Sequence, residues 1–551
     1  MELLESRRLT GPNLAWDHPG AVLQVAFDDG VGAVEAWQTH AKAILNAVGW
    51  SDEHVVARTF SGGADLVMSA PIDALYAACE LNEWAWEAAC ATVAGQTPPP
   101  LGEAAQRLSA LIAEERNPRL LALRDAARDH DVCFLSDDDL ASVGMGTGSQ
   151  VWPVDELPTP DEVDWNAVHD VPTLLVTGTN GKSTTVRLLA SIVEAAGRRP
   201  GVCTTDWIRV GNETLDTGDW TGPGAARQVV RHPKTEVAIL ELARGGMLRR
   251  GLGVPRANAA AVLNVAEDHF GEFGVDEIET LIATKFLVQR AVDPNGRLVL
   301  NADDAGVLAR GRSIEMPVTW FGNNVPAEAT AACVVVDGVL TLMERGKRHE
   351  VAPLAEVPVT MGGAARYNVS NALAAIALAA AIEIPLPAIA RGLRDFDNSP
   401  EANPGRGNVF KFGGITAVVD YAHNPHGMAA FLEMAAAMPA QRRLVTLGQA
   451  GDRTDDAIAS LALAVWSTKP DRIILKEMAR YERGRPAAEV VEIMERALRE
   501  AGMPADRIGH ADSETQAVEQ ALAWARAGDL LLFAIQSDRT QVLERLTALQ
   551  G

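Results

Sequence analysis

One short stretch limits what this chain can fold into more than any other: Gly178-Thr179-Asn180-Gly181-Lys182-Ser183-Thr184, directly after the apolar run Leu174-Leu175-Val176. Leu188, Leu189, Ile192 and Val193 follow at helical spacing, so the segment reads as strand, tight turn and helix. Glycines let successive backbone N–H groups converge, and the start of a helix points the positive end of its dipole at the same spot. That makes a cradle for phosphate. Lys182 adds charge for the outer phosphates, and the Ser183 hydroxyl can reach a Mg²⁺ ion. The common spacing of such loops puts a glycine where this chain has Val176, so the loop is a shorter variant. By itself it says only that a nucleotide is bound, since kinases, GTPases, motor ATPases and ligases all use one.

The rest of the chain is patterned to surround that loop with a parallel sheet covered on both faces. Strands are expected at Val237–Leu240, Ala260–Asn264 and Leu298–Leu300, with helices between them. Residues 313–360 look β-rich, with two apolar runs around an Asp-Gly turn that predict a hairpin. A hinge at Asn403-Pro404-Gly405 precedes a second α/β unit, with strands near Ala417–Val419, Leu444–Leu447, Arg472–Leu475 and Leu530–Phe533. Upstream, residues 1–150 mix short apolar runs with helical stretches. The Gly, Pro and acid content between Gly144 and Trp165 reads as a linker. A chain of 551 residues is too long for one core, and about three domains are expected.

Composition matters for partners. A formal charge of −24 would repel a phosphate backbone, so nucleic-acid binding is not expected, although plain solubility explains the acidity equally well. The five cysteines are scattered without CxxC pairs, which suggests a reduced, cytoplasmic protein without a zinc site. No stretch of about 18 uncharged apolar residues predicts a membrane span, and residues 1–25 lack the apolar run of a signal peptide.

Several residues downstream of the loop fit a metal centre. Glu241 ends a strand, where an acid beside a phosphate loop can complete a Mg²⁺ site. Asn264 ends another, Asp268-His269 follows, and Lys285 sits on a helix sixteen residues later. Each alone has an ordinary reading: a helix cap, a satisfied loop histidine, a solvated lysine. Their order along successive strand ends favours function.

With these stretches in view, the sequence resembles the Mur ligases. The residues that carry the likeness are VTGTNGKST, the Glu after a strand, N-x-x-x-D-H followed by a helical Lys, YNVSNALAA at 367–375, PGR at 404–406 and DYAHNP at 420–425. The family includes muramyl peptide ligases, folylpolyglutamate synthetase and cyanophycin synthetase, and the likeness covers about 171–551. It implies an α/β protein of three domains: a small α+β N-terminal domain at 1–150, a central P-loop parallel-sheet domain at 166–398 and a C-terminal Rossmann-like domain at 407–551. It also implies ATP and two Mg²⁺ ions, held through Ser183, Glu241, His269 and Lys285, the last often carbamylated in such enzymes. Asn368 and Asn371 would approach the adenine, Arg406 the terminal phosphate and Asp420 the ribose or nucleotide edge. His423 and Asn424 would face the joined substrates.

Further stretches resemble the ligase half of the cyanophycin synthetases: Thr204-Thr205-Asp206, GDWTGP at 218–223, LELARGGMLRRGLG at 240–253, with Arg244 in it, Gly451-Asp452-Arg453 and Arg483-Gly484-Arg485. Gly11-Pro12-Asn13-Leu14 resembles the start of that family's N-terminal domain. Those enzymes carry an ATP-grasp domain before the ligase half, whereas fewer than about thirty residues separate Gly146 from the P-loop strand here, too few for such a domain. The implied activity is a single kind of ligation, a carboxylate activated as an acyl phosphate and joined to an amine. Substrate contacts would come from Thr205, Asp206, Arg244, His423, Asn424, Arg483 and Arg485, and the substrates would be amino acids or acidic peptides. The cluster at Arg480–Arg485 is open to a second reading as a surface feature. A non-catalytic nucleotide- or polymer-binding partner protein, and a P-loop NTPase or kinase, are the rival functions. A homo-oligomer is allowed by everything above.

Overall fold

The structure is a computed structural model and describes residues 1–27, 31–267, 270–486 and 488–550. It divides into two compact units, one of residues 1–333 with segments 342–347 and 374–389, the other of the remaining segments and the C-terminal part.

The first unit begins with β1 (Glu2–Leu9), β2 (Gly20–Ala26), α1 (Val31–Ala47), β3 (Val55–Phe60), β4 (Gly63–Ser69), α2 (Leu75–Val93) and α3 (Leu101–Glu115). The strands form an antiparallel sheet in the order β1-β2-β4-β3. Leu23, Val25, Leu66 and Met68 alternate along β2 and β4, so one face of the sheet buries them against Trp37, Ile44, Leu81 and Leu108 of the helices. Asn82, buried in this core, is bonded on both sides: it accepts from the Trp37 indole N–H at 2.8 Å and donates to Leu66 O at 2.9 Å.

Next come α4 (Pro118–Asp129), β5 (Phe134–Ser136), β6 (Leu140–Val143) and β7 (Gln150–Pro153), the three strands pairing antiparallel in chain order. The stretch read as a linker is therefore partly a strand. Leu157, Val163 and Val168 join Leu120, Leu123, Ala141 and Val143 in one buried cluster. Its prolines mark turns, while apolar residues between them supply a small core of their own.

The central sheet is built from β8 (Thr173–Thr177), α5 (Lys182–Ala195), β9 (Pro200–Cys203), β10 (Trp207–Val210), β11 (Glu213–Thr217), α6 (Pro223–Arg231), β12 (Val237–Glu241), α7 (Arg244–Arg250), β13 (Ala257–Val262), α8 (Ile278–Lys285), β14 (Val292–Asn301), α9 (Ala305–Gly311), β15 (Val318–Phe321) and β16 (Ala331–Val336). Strand order is β11-β10-β9-β12-β8-β13-β14-β15-β16. Pairing from β9 through β16 is parallel, and β9-β10-β11 is an antiparallel meander at one side. Every residue of β8 and β12 is buried, as strands covered on both faces require. Because β12, β8 and β13 are neighbours, the loops leaving their carboxyl ends meet. Asn264 lies just beyond β13, not within it.

Then follow β17 (Val339–Glu344), β18 (Lys347–Pro353), α10 (Arg366–Ala381) and α11 (Leu386–Asp395). Asp337 and Gly338 both have positive φ, the expected Asp-Gly turn. The C-terminal sheet comprises β19 (Arg406–Phe412), β20 (Ile415–Asp420), α12 (Pro425–Ala436), β21 (Arg443–Leu447), α13 (Asp455–Ser467), β22 (Arg472–Lys476), α14 (Glu489–Glu500), β23 (Ile508–Ala511), α15 (Glu514–Trp524), β24 (Leu530–Ala534) and α16 (Arg539–Gln550). Its order is β19-β20-β24-β21-β22-β23, parallel except for β19, with a core on each face. Sequence patterning did not predict β19 or β23, because β19 is interrupted by polar residues and a glycine and β23 is four residues long. Among the described residues, no helix is long and apolar enough to cross a membrane.

Candidate functional site

In the first unit the glycine-rich loop joins β8 to α5, with Gly181 at the N-cap in the left-handed region (φ +87°) that a side chain would disfavour. α5 runs for 14 residues, so its dipole favours an anion at this end. A neighbouring loop fixes the cradle's shape. Asn264 Oδ1 accepts from Asn180 N–H at 2.8 Å and its Nδ2 donates to Asn180 O at 3.0 Å. Thr179 N–H donates to Asn264 O at 2.9 Å, and its hydroxyl donates to Ala266 O at 3.2 Å. Asn264 thus serves the loop as a two-bond clamp, a role beyond a helix cap.

The metal-type residues gather at the same end. The Ser183 hydroxyl bonds Glu241 Oε1 at 3.1 Å and Thr205 Oγ1 at 3.0 Å, and Ser183 and Glu241 are both buried. A hydroxyl and a carboxylate side by side at a phosphate loop are hard oxygen donors suited to Mg²⁺. Two ammonium groups converge on one loop carbonyl: Lys182 Nζ donates to Gly178 O at 2.9 Å and to Thr179 O at 3.0 Å, and buried Lys285 Nζ donates to Gly178 O at 3.1 Å. This donor set fits a nucleotide triphosphate with a divalent cation. Asp268 and His269 lie outside the described residues. Among the described residues no group of three or more His, Cys, Asp or Glu forms a metal cluster, so the oxygen set here mixes hydroxyls with a carboxylate.

The substrate residues expected on this side divide. Thr205 lies at the Ser183 hydroxyl. Asp206 is ion-paired with Arg187 of α5, both largely buried, and the Arg187 guanidinium lies 5.4 Å from the Trp207 ring centre. Arg244, at the start of α7, pairs with Glu272. Arg187 was not singled out in the sequence. Its signal was its position, one helical turn after Ser183 on the face that meets Asp206.

In the second unit, Arg406 and Asp420 face each other across β19 and β20. Arg406 donates to Pro404 O at 3.2 Å and stacks 5.3 Å from the Tyr421 ring centre. Burial pushes the Asp420 carboxyl up to about 6, opposed by hydrogen bonds from Ala422 and Gly407 N–H and by the charges of Arg406 and His423. The Tyr367 hydroxyl donates to Met434 Sδ at 3.6 Å, and burial, with the Asp420 carboxylate adding to it, raises its pKa well above the ordinary value. His423 Nδ1 lies 3.2 Å from Tyr421 O with its ring edge-on to Tyr421, and Asn424 caps α12 by accepting from Gly427 N–H at 2.8 Å. Asn371 donates to Asn368 Oδ1 at 3.1 Å, and Asn368 donates to Val359 O at 3.0 Å, both residues being buried.

Arg483 and Arg485 are held internally. Arg483 pairs with Asp452, while Arg485 donates to Gly451 O and Arg453 O, each at 2.7 Å, and pairs with Asp455 and Glu489. A further group went unnoticed in the sequence. Lys476, fully buried at the end of β22, pairs with Glu514 and donates to Gln536 Oε1 at 3.0 Å. Glu514 accepts from the N–H groups of Gln536, Ser537 and Asp538 at 2.9, 2.7 and 2.7 Å, and Gln536 Nε2 donates to Ala422 O at 3.0 Å. A lysine closing the apolar strand Arg472-Ile473-Ile474-Leu475 was the available clue.

Comparison with known proteins agrees with this geometry. Residues 176–379 match the Mur ligase middle domain, and residues 405–534 match the Mur ligase, glutamate ligase domain. Cyanophycin synthetase of Nostoc sp. (strain PCC 7120) is 37% identical over 378 residues, covering 67% of this chain and 41% of that protein. This chain therefore spans about two fifths of the length of such relatives. UDP-N-acetylmuramate–L-alanine ligase of Acidithiobacillus ferrooxidans is 29% identical over 339 residues, covering 60% of this chain and 65% of that one. Among solved structures, E. coli FolC in complex with DHPP and ADP has a TM-score of 0.53 at 22% identity, covering 69% of this chain and 89% of that one, a likeness of fold.

Proposed function

We propose, from the premise that the chain belongs to the Mur ligase family, that it is an ATP-dependent ligase joining a carboxylate to an amine through an acyl phosphate. The observation that carries this reading is the Ser183–Glu241–Thr205 cluster at the mouth of the loop, with Lys182 and Lys285 both directed at Gly178 O. The domain boundaries we propose are 1–150, 166–398 and 407–551.

Loop residues Gly178, Thr179, Asn180, Gly181, Lys182, Ser183 and Thr184 hold the phosphates, and Asn368, Asn371 and Asp420 bind the rest of the nucleotide. Ser183, Glu241, His269 and, as a carbamate, Lys285 would hold Mg²⁺, which would supply charge stabilisation at the phosphate oxygens. Lys182 and Arg406 neutralise the γ-phosphoryl group while a substrate carboxylate oxygen attacks it and ADP leaves. The amine then attacks the acyl phosphate, loses a proton and expels inorganic phosphate, leaving an amide. His423 and Asn424 orient the joining groups, helped by Thr205, Asp206 and Arg244; Arg483 and Arg485 would recruit an acidic substrate only by exchanging their present partners Asp452, Asp455 and Glu489 for it. Amino acids or acidic peptides suit these contacts.

A phosphate-release screen across amino acids and short acidic peptides, with mass analysis of products, tests this. Release that needs both an acid and an amine, with one new amide of matching mass, supports ligation. Release indifferent to amines would make the chain an NTPase, and nucleotide binding without release would make it a non-catalytic partner.

A further inference from the structure

Residues 270–277 follow Asp268-His269 and lead into α8, which ends at Lys285. This loop is gripped from outside the central sheet. Arg58, on β3 of the N-terminal sheet, donates from Nη2 to Phe273 O at 2.6 Å and from Nη1 to Gly274 O at 2.7 Å. The same guanidinium pairs with Asp65 on β4. Two more cations lie over the Phe273 ring, Arg7 of β1 at 5.0 Å and Arg249 of α7 at 5.7 Å from its centre. Gly274 sits so close to Phe60, at the end of β3, that a Cβ there would lie 2.2 Å from the ring. Glu272, just before, is paired with Arg244.

The loop's backbone shows why it needs a grip. Phe273 has φ +55° and Gly274 φ +61°, consecutive left-handed residues. A bulky side chain in that region costs on the order of 1–3 kcal/mol and persists only where its surroundings over-determine it. The N-terminal sheet is the surrounding. An arginine suits the task because its planar fork carries five donors, enough for two carbonyls and a carboxylate at once, whereas a lysine ammonium has three on one atom.

We propose that the N-terminal sheet is a clamp on the active-site loop, with Arg58 as a positioning residue for the segment between His269 and Lys285. What the loop does chemically rests on the ligase reading above; that it is clamped does not. The clamp explains why an N-terminal sheet far in sequence from the phosphate loop accompanies it: it fixes the entry to α8 and hence the placing of the Lys285 side chain.

The test uses the full chain and its R58A and R58K variants, read by amide hydrogen exchange and by kinetics. In R58A, amides of 270–278 should exchange at least about tenfold faster, while β2, β4 and β8 keep the parent's rates. R58K should fall between, since it retains the Asp65 pair and one carbonyl bond. With the substrates found by the screen, R58A should lower kcat about tenfold and leave KM for ATP within about twofold. Unchanged exchange in 270–278, or a rise shared equally by β2 and β4, overturns the clamp. Should R58A fail to fold, R58K and G274A carry the same readings, the latter by forcing Gly274 off Phe60. Where no substrate supports turnover in the parent chain, the ligase reading falls, while exchange still decides the clamp.

Discussion

Two lysines buried beside the carboxyl ends of parallel strands make opposite use of burial. Lys476, in the C-terminal domain, ends in a closed account of charge: Glu514 opposes it, Gln536 takes another of its donors, and three backbone N–H groups complete Glu514. Burial lowers its pKa, while the Glu514 partner raises it back toward the ordinary value. Lys285, in the central domain, aims instead at Gly178 O, a carbonyl that Lys182 also reaches. Gathering two ammonium groups on one carbonyl is a poor way to stabilise a fold; on the ligase reading Lys182 would serve phosphate and Lys285, once carbamylated, a metal ion. On the ligase reading, the contrast separates a lysine that secures loops from two that serve a ligand.

The sharpest way to break that contrast is at the phosphate loop. Removing the ammonium in K182A should lower phosphate release about a thousandfold, the scale of losing a charge aimed at a phosphoryl group. Because that ammonium donates to the loop carbonyls of Gly178 and Thr179, the thermal midpoint should move by less than about 2 °C. Activity within tenfold of the parent chain would remove Lys182 from the chemistry and leave the loop a structural turn.

The opposite signature is expected at Lys476. K476M strands a buried carboxylate, and removing one member of a buried pair costs about 3–5 kcal/mol. Urea unfolding should show that loss. The double variant K476M/E514Q should recover at least about half of it, because no buried charge is then left alone. Turnover per folded molecule should stay within a few fold. A K476M protein as stable as the parent but inactive would reverse the assignment and make Lys476 a ligand-facing group.

The sequence announced the first lysine site and hid the second for a physical reason. Phosphate chemistry needs glycines, a lysine and a hydroxyl within one short turn, so Gly178–Thr184 is visible without any tertiary information. Glu241 and Lys285 were readable because strand ends and helix ends are readable. Lys476, Glu514 and Gln536 are separated along the chain and meet only through the order β24-β21-β22-β23, which local patterning does not encode. Arg58 is hidden in the same way, since its partners Phe273 and Gly274 lie more than two hundred residues downstream. The stretch between Gly144 and Trp165 misled in the other direction. Its prolines suggested a linker, yet Leu157 and Val163 bury against α4 and β6.

The smallest effect concerns Asp420, and it tests whether the C-terminal domain holds a strained charge as well as the balanced one at Lys476. Its carboxyl is raised to about 6 from an ordinary 3.8, chiefly by burial. A raised folded-state pKa means that the folded chain holds the proton more tightly than the unfolded chain does. Stability from this group is therefore fully present below about pH 4 and is lost as pH rises through about 6. Asparagine keeps the neutral form at every pH. The stability of D420N relative to the parent should thus rise by on the order of 1 kcal/mol between pH 4 and pH 7.5, a figure discounted from the full shift because the side chain keeps some contact with water. Urea midpoints of both proteins at the two pH values give the difference directly, and subtraction removes every other titrating group. A difference that stays flat would mean that Arg406, His423 and the two N–H groups already balance the carboxylate, which would make Asp420 a second closed pair rather than a charge held ready for a ligand.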